Sequence, residues 1–237
     1  MARRRIIARN HLWLLLALSG ALSACGGGSG RAPAASPSAS PESSPSTAAL
    51  PVILFVGTSL TAGYGLDPAE SYPARIQEKI DEAGLRYRVI NAGVSGETSA
   101  GTRRRIDWLL GAHPVSVLVV ETGGNDGLRG IDPEDVRANI QAIFDRARRQ
   151  SPPPALVLVG MAAPPNLGSR YADAFRALYP ELARRNGAVL VPFLLEGVAG
   201  ITRLNQPDGI HPTAEGQRRL AETVWKHLQP MLGSSSL

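Results

Sequence analysis

A single cysteine in 237 residues leaves no partner within the chain, so disulfides play no part in its stability. A long membrane-crossing run is missing too. The apolar stretch near the start, Leu12 to Leu22, is shorter than the roughly 20 residues a membrane helix needs. An excess of one charge is also lacking. The formal charge of +5 comes from 25 basic against 20 acidic residues. Arg3, Arg4, Arg5 and Arg9 precede Cys25 and no acidic residue does, so the chain from Cys25 onward holds 21 basic against 20 acidic residues, a net of +1. That balance excludes the broad basic footprint of a nucleic-acid binder. Arg103-Arg104-Arg105 is the one basic run left, and it reads as a solvated helix face. No internal repeat is present.

The ends are distinct from the middle. A basic start, a short apolar segment and Leu22-Ser23-Ala24 ahead of Cys25 mark residues 1–24 as a secretory signal. The segment resembles a bacterial lipobox, which implies that Cys25 is the lipid-bearing first residue of the exported chain. A plain signal peptide with an incidental cysteine is the alternative, but the chain's only cysteine falls on that one position. Of the 24 residues from 26 to 49, 21 are Gly, Ala, Ser or Pro. Such a composition cannot bury enough apolar surface to offset its ordering entropy, and residues 25–49 read as a lipidated cysteine and a disordered linker. As a flexible coil it would span roughly 25–30 Å, enough to hold a domain off a membrane. Residues 50–232 are then one domain, followed by a short tail at 233–237.

Within that domain five apolar runs read as strands: 52–56, 87–90, 115–121, 155–160 and 188–193. They are continuous rather than alternating, which predicts strands buried on both faces of a parallel sheet. Helical patterns separate them, over 73–83, 98–110, 132–149, 169–185 and 213–228. Asp132-Pro133-Glu134-Asp135 supplies a cap, a proline at the first helical position and acids for the dipole. Leu220, Val224 and Leu228 recur every four residues on one face of the last helix. Strict strand–helix alternation predicts an α/β fold, a three-layer α/β/α sandwich with right-handed crossovers.

In such a sheet the loops after the strands share one edge, where open α/β folds place their sites. Four of these loops are rich in polar residues and glycine: Gly57-Thr58-Ser59, Asn91-Ala92-Gly93-Val94-Ser95-Gly96, Gly123-Gly124-Asn125-Asp126, and Asp208-Gly209-Ile210-His211-Pro212. Acyl transfer needs a nucleophile, a base, a group that orients the base and donors for the oxyanion. Ser59 can attack, His211 can carry the proton, and Asp208 can hold the imidazole. The Ser59 N–H, the Gly93 N–H and the Asn125 amide make three donors. Taken singly, each has a plainer reading as cap, turn or packing residue. Together, on one sheet edge and in a usable chemical combination, they do not. Histidine is scarce, and the others fit the role poorly: His11 lies in the signal, His113 at a strand entrance on the opposite edge, and His227 near a helix end.

These blocks, in this order, resemble those of the SGNH hydrolases, also called GDSL esterases and lipases. Ser59-Leu60-Thr61-Ala62-Gly63-Tyr64-Gly65, Asn125-Asp126-Gly127-Leu128-Arg129-Gly130 and Tyr171-Ala172-Asp173-Ala174-Phe175 are most similar to the bacterial thioesterase I, arylesterase and lysophospholipase L1 group. The likeness runs from about residue 52 to 231. It implies a flavodoxin-like strand order of 2-1-3-4-5 and hydrolysis of carboxylic esters or thioesters without metal or cofactor. It also implies a shallow cleft flanked by helices 98–110 and 169–185. The family usually has aspartate where this chain has Thr58; threonine keeps a hydroxyl able to accept from backbone N–H groups but loses the charge. The G-x-S-x-G elbow of α/β-hydrolases is absent, since Thr61 takes its last position.

The expected partners are a small acyl ester or thioester and a membrane reached through Cys25, with no nucleic acid. The expected location is the bacterial cell envelope. A carbohydrate O-deacetylase and a non-catalytic binding lipoprotein are alternatives on the same fold. A flavodoxin-like cofactor binder fits less well, because Pro68 and Pro73 interrupt the path a phosphate loop would take into its helix. Oligomeric state is open.

Overall fold

The computed structural model describes residues 50–233. The signal segment, Cys25, the linker and the tail beyond 233 lie outside the described residues, and so do the expectations attached to them.

Five parallel strands form one sheet: β1 (Val52–Gly57), β2 (Arg88–Gly93), β3 (Val115–Glu121), β4 (Ala155–Val159) and β5 (Val189–Val191). Their order is β2-β1-β3-β4-β5, as the family resemblance implied. All six residues of β1 are buried, and β3 is almost as dry. A side chain of this kind contributes about 1.5–3 kcal/mol when fully buried. The runs of the three central strands therefore do what their pattern predicts and are buried on both faces, whereas β2 and β5, at the sheet edges, stay partly exposed. Helix α2 (Tyr72–Glu82) packs on α7 (Ala214–Leu232), while α3 (Ser99–Ala112), α5 (Pro133–Ala147) and α6 (Ser169–Asn186) pack in series. These are the two outer layers of an α/β/α sandwich. Leu220, Val224 and Leu228 are fully buried, as their spacing requires. Asp132 caps α5 by accepting from the Glu134 N–H at 2.9 Å.

Strand register sets the site. Gly57 stands opposite Gly93, Val56 opposite Val120, Glu121 opposite Val159, and Val159 opposite Val191. The carboxyl ends of the strands thus line up on one edge. Two short helices stand on that edge, α1 (Ser59–Ala62) and α4 (Gly124–Leu128). Neither is long enough to leave a periodic signature in sequence. The fifth strand is shorter than its apolar run, with Pro192 directly after it.

Candidate active site

The polypeptide leaves β1 through Gly57-Thr58 and turns straight into α1, whose first residue is Ser59. The Ser59 Oγ lies 2.9 Å from His211 Nε2. On the far side of the ring, His211 Nδ1 lies 2.6 Å from Asp208 Oδ2. Asp208 Oδ1 accepts two backbone N–H groups of its own loop, from Ile210 at 2.9 Å and His211 at 3.0 Å. The His211 N–H, the His211 ring and the Ile210 N–H together pull the Asp208 carboxyl from the ordinary 3.8 down to about 2. An ionised carboxylate only accepts, so the hydrogen sits on Nδ1 and the Nε2 lone pair faces the serine hydroxyl.

The loop that carries the imidazole is tied down. Gln206 N–H donates to His211 O at 2.7 Å, and Gln206 Nε2 donates to Tyr64 O at 2.7 Å and Pro212 O at 3.0 Å. Asn205 Nδ2 donates to Val198 O and Ile201 O. The Tyr64 ring rests against the imidazole, with centroids 4.5 Å apart. Residues 142 apart in sequence are thus held together where serine meets base.

Asn125 sits in the first turn of α4. Its Nδ2 donates to Glu97 O at 3.0 Å, which fixes the amide plane and leaves a second hydrogen free. The neighbouring Asp126 is fully buried and accepts from the Ser99 N–H at 2.8 Å and the Ser99 hydroxyl at 2.6 Å, tying α4 to the start of α3. Ser59 N–H opens a helix and has no intrahelical acceptor. Two of the three expected oxyanion donors, Ser59 and Asn125, therefore stand in one cleft.

The third, Gly93, does not present a free N–H. Val94 donates to Gly57 O at 2.9 Å, so the preceding N–H points the opposite way, out of the sheet edge, where Asn91 Oδ1 accepts it at 2.9 Å. Gly93 is required for space instead: a Cβ there would lie 2.3 Å from the Ala62 backbone nitrogen. Three residues on, Gly96 has φ +77° in a turn stitched to the oxyanion side. Its carbonyl accepts from Arg129 Nη2 at 3.1 Å, and the next carbonyl, Glu97, accepts from Asn125. Among the described residues the Gly96 N–H donates to no protein acceptor.

Thr58 also behaves differently from expectation. Its hydroxyl donates rather than accepts, to the carboxylate of Glu121 at 3.0–3.1 Å, and its N–H donates to the same group at 2.8 Å. The turn at position 58 is thus held by a buried acid at the end of β3, which sequence reading passed over as a strand end. Nor is the basic run wholly a solvated face. Arg103 and Arg104 are exposed, but Arg105 clamps Glu97 at 2.7–2.9 Å, helped by Thr102 at 3.0 Å.

A cleft of about 440 Å³ opens beside Ser59, with Asn125 and His211 on its wall. Helices α3 and α6 contribute nothing to its lining. Its sides come from α4 and from the loops after β4 and β5, with Leu128, Met161, Pro164, Phe193, Leu195 and Ile210 among the contributors. Among the described residues, His211 is the only titratable side chain lining it. Among the described residues no group of three His, Cys, Asp or Glu side chains is placed to hold a metal ion.

A parallel sheet of this order, with a serine, an imidazole and a carboxylate in hydrogen-bond sequence on its carboxyl edge, has the architecture of a serine hydrolase outside the elbow class. The chain belongs to the GDSL-like lipase/acylhydrolase family, whose model matches residues 55–219. It is 42% identical over 185 residues to the esterase TesA of Pseudomonas aeruginosa, covering 78% of this chain and 91% of that protein. It is 35% identical over 189 residues to the thioesterase 1/protease 1/lysophospholipase L1 of Escherichia coli strain K12, covering 80% and 88%. The crystal structure of the psychrotrophic esterase EstA from Pseudoalteromonas sp., inhibited by monoethylphosphonate, matches with a TM-score of 0.72 at 31% identity, over 77% of this chain and 99% of that one.

Proposed function

We propose that this carboxylic ester hydrolase works through an acyl-enzyme on Ser59, with His211 as base and then acid, and Asp208 as the group that fixes the imidazole. One observation carries the reading: Ser59 and His211, 152 residues apart in sequence, meet at 2.9 Å while Asp208 holds the other ring nitrogen at 2.6 Å. Ser59 Oγ attacks the ester carbonyl as its proton passes to Nε2. The tetrahedral oxyanion is met by the Ser59 N–H, the free hydrogen of Asn125 Nδ2 and the Gly96 N–H. Donors of this kind, already aimed before the charge develops, are usually the largest contribution to catalysis. The imidazolium then protonates the departing alcohol or thiol. Water, activated by the same nitrogen, releases the acid.

The cleft favours an apolar acyl group. Its wall offers side chains of leucine, methionine, proline, phenylalanine and isoleucine, and few polar atoms for a sugar hydroxyl to bond. We therefore place acyl esters, arylesters and lysophospholipid-like or thioester substrates ahead of O-acetylated carbohydrate. The assembled serine–imidazole pair speaks against a non-catalytic binding protein. Hydrolysis of p-nitrophenyl butyrate by the full chain, abolished in a folded Ser59→Ala variant, is the expected result. A Ser59→Ala variant with wild-type turnover refutes the assignment.

The lipid anchor belongs to the same proposal. The basic start, the apolar segment and Leu22-Ser23-Ala24-Cys25 support export with removal of residues 1–24 and acylation of Cys25. Residues 25–49 then tether the hydrolase, residues 50–232, to a membrane of the cell envelope.

A further inference from the structure

Ser59 begins a helix of only four residues, and the residue before it, Thr58, makes no side-chain cap. A single turn cannot sustain itself, because nucleation fixes several residues for one hydrogen bond. Its first N–H groups need acceptors from elsewhere. Glu121 braces the turn from outside, through the N–H just before the helix and two threonine hydroxyls. Its carboxylate is fully buried, at the end of a strand that is apolar but for Ser116. Oε2 accepts from the Thr58 N–H at 2.8 Å, the Thr58 hydroxyl at 3.0 Å and the Thr61 hydroxyl at 2.8 Å. The Thr61 hydroxyl, having donated its one hydrogen, accepts from Tyr72 OH at 2.9 Å. Burial raises the Glu121 pKa, against the pull of the Thr58 and Thr61 donors, and it raises that of Tyr72, with help from Glu121. A buried acid is costly unless its bonds are made. Here every bond is made to the residues that flank the serine.

Position along the strand adds the second half. Glu121 closes β3, and Asn125 follows four residues later on the same segment. The group that grips the serine turn and the amide that would meet the oxyanion therefore hang from one short stretch of chain. We propose that Glu121 is a positioning residue which sets the distance from Ser59 to Asn125. It touches no substrate and acts through Thr58 and Thr61. The inference rests on Ser59 as nucleophile and Asn125 as oxyanion donor.

The test uses the full chain and p-nitrophenyl butyrate, with variants Glu121→Ala, Glu121→Gln, Asn125→Ala, the Glu121→Ala/Asn125→Ala pair, and Ser59→Ala in parallel. Misplacement by about 1 Å can cost ~10²-fold, so Glu121→Ala is expected to lower kcat by that order while KM holds. Glu121→Gln is expected to rescue most of it. Its amide oxygen accepts from the Thr58 N–H and Thr61 hydroxyl, and its NH₂ donates to the Thr58 hydroxyl. Because the effect runs through Asn125, it is expected to shrink strongly in the double variant, a coupling that a merely structural residue would not produce. If Glu121→Ala does not fold, Thr61→Val, which removes one clamp on the carboxylate, takes its place with the same expected coupling. Wild-type kcat in the folded variant, or penalties that simply multiply with Asn125→Ala, overturns the inference. An active Ser59→Ala overturns the nucleophile itself; an inactive Ser59→Ala beside unaffected Glu121 variants overturns only the positioning role.

Discussion

Replacing Asn125 by alanine isolates the side-chain part of the oxyanion site. The amide nitrogen carries two hydrogens. One goes to Glu97 O at 3.0 Å, and the other is left for the cleft that Asn125 and Ser59 both line. Removal of one such donor typically costs ~10²–10³ in rate, about 2.7–4 kcal/mol of transition-state stabilisation. The lost bond to Glu97 adds little, because Arg105 and Thr102 still grip that glutamate at 2.7–3.0 Å. Asn125→Ala is thus expected to lower kcat by about 10²-fold or more with KM nearly unchanged, since the donor acts mainly on charge that appears in the transition state. Steady-state hydrolysis of p-nitrophenyl butyrate reads both constants. Asn125→Asp, of equal size but with an acceptor where the donor was, should be at least as slow. A rise in KM with kcat intact would make Asn125 a substrate-binding group and refute the reasoning, as would an active Asn125→Asp.

Other outcomes follow from the same geometry. Asp208→Asn should lower kcat by about 10³–10⁴-fold, since the imidazole loses the partner that fixes its tautomer. Its stability effect has a defined sign. The Asp208 pKa falls from 3.8 to about 2 on folding, so its contribution is present above the ordinary value and lost as pH falls toward 2. Urea midpoints of wild type and Asp208→Asn should therefore converge over that window, and a constant gap would contradict the cited hydrogen bonds. Lengthening the acyl chain from acetate to butyrate to hexanoate should raise kcat/KM by up to about fourfold per methylene, at ~0.8 kcal/mol each, until the cleft is full. A flat profile would place the acyl group outside it. Full-length protein should fractionate with membranes and Cys25→Ser should not; equal partition of both would remove the lipid anchor.

Much of this was legible in the sequence because the relevant signals are local. The buried strands are continuous apolar runs, and Ser59, Asn125, Asp208 and His211 stand in segments that follow strands, whose sharing of an edge follows from a parallel sheet alone. The glycine now proposed as an oxyanion donor was not legible. Gly93 and Gly96 are three residues apart, and only the register against β1 reveals that Gly93 closes β2 and turns its N–H toward Asn91. Glu121 was hidden for a different reason. Its partners Thr58 and Thr61 lie 63 and 60 residues away, so nothing near it in sequence distinguishes a functional acid from a strand end. The lining of the cleft was not legible because the loops after β4 and β5 carry no motif; they line the site through topology, not composition.

The proposed mechanism depends most on Ser59 as the group that is acylated. An aryl phosphonate ester applied to the full chain, followed by peptide mass spectrometry, tests this directly. One adduct is expected, on the peptide containing Ser59, with loss of esterase activity in step with labelling and no adduct in His211→Ala over the same period. Full inactivation with the label on another residue, or labelling of Ser59 that leaves ester hydrolysis untouched, would contradict it.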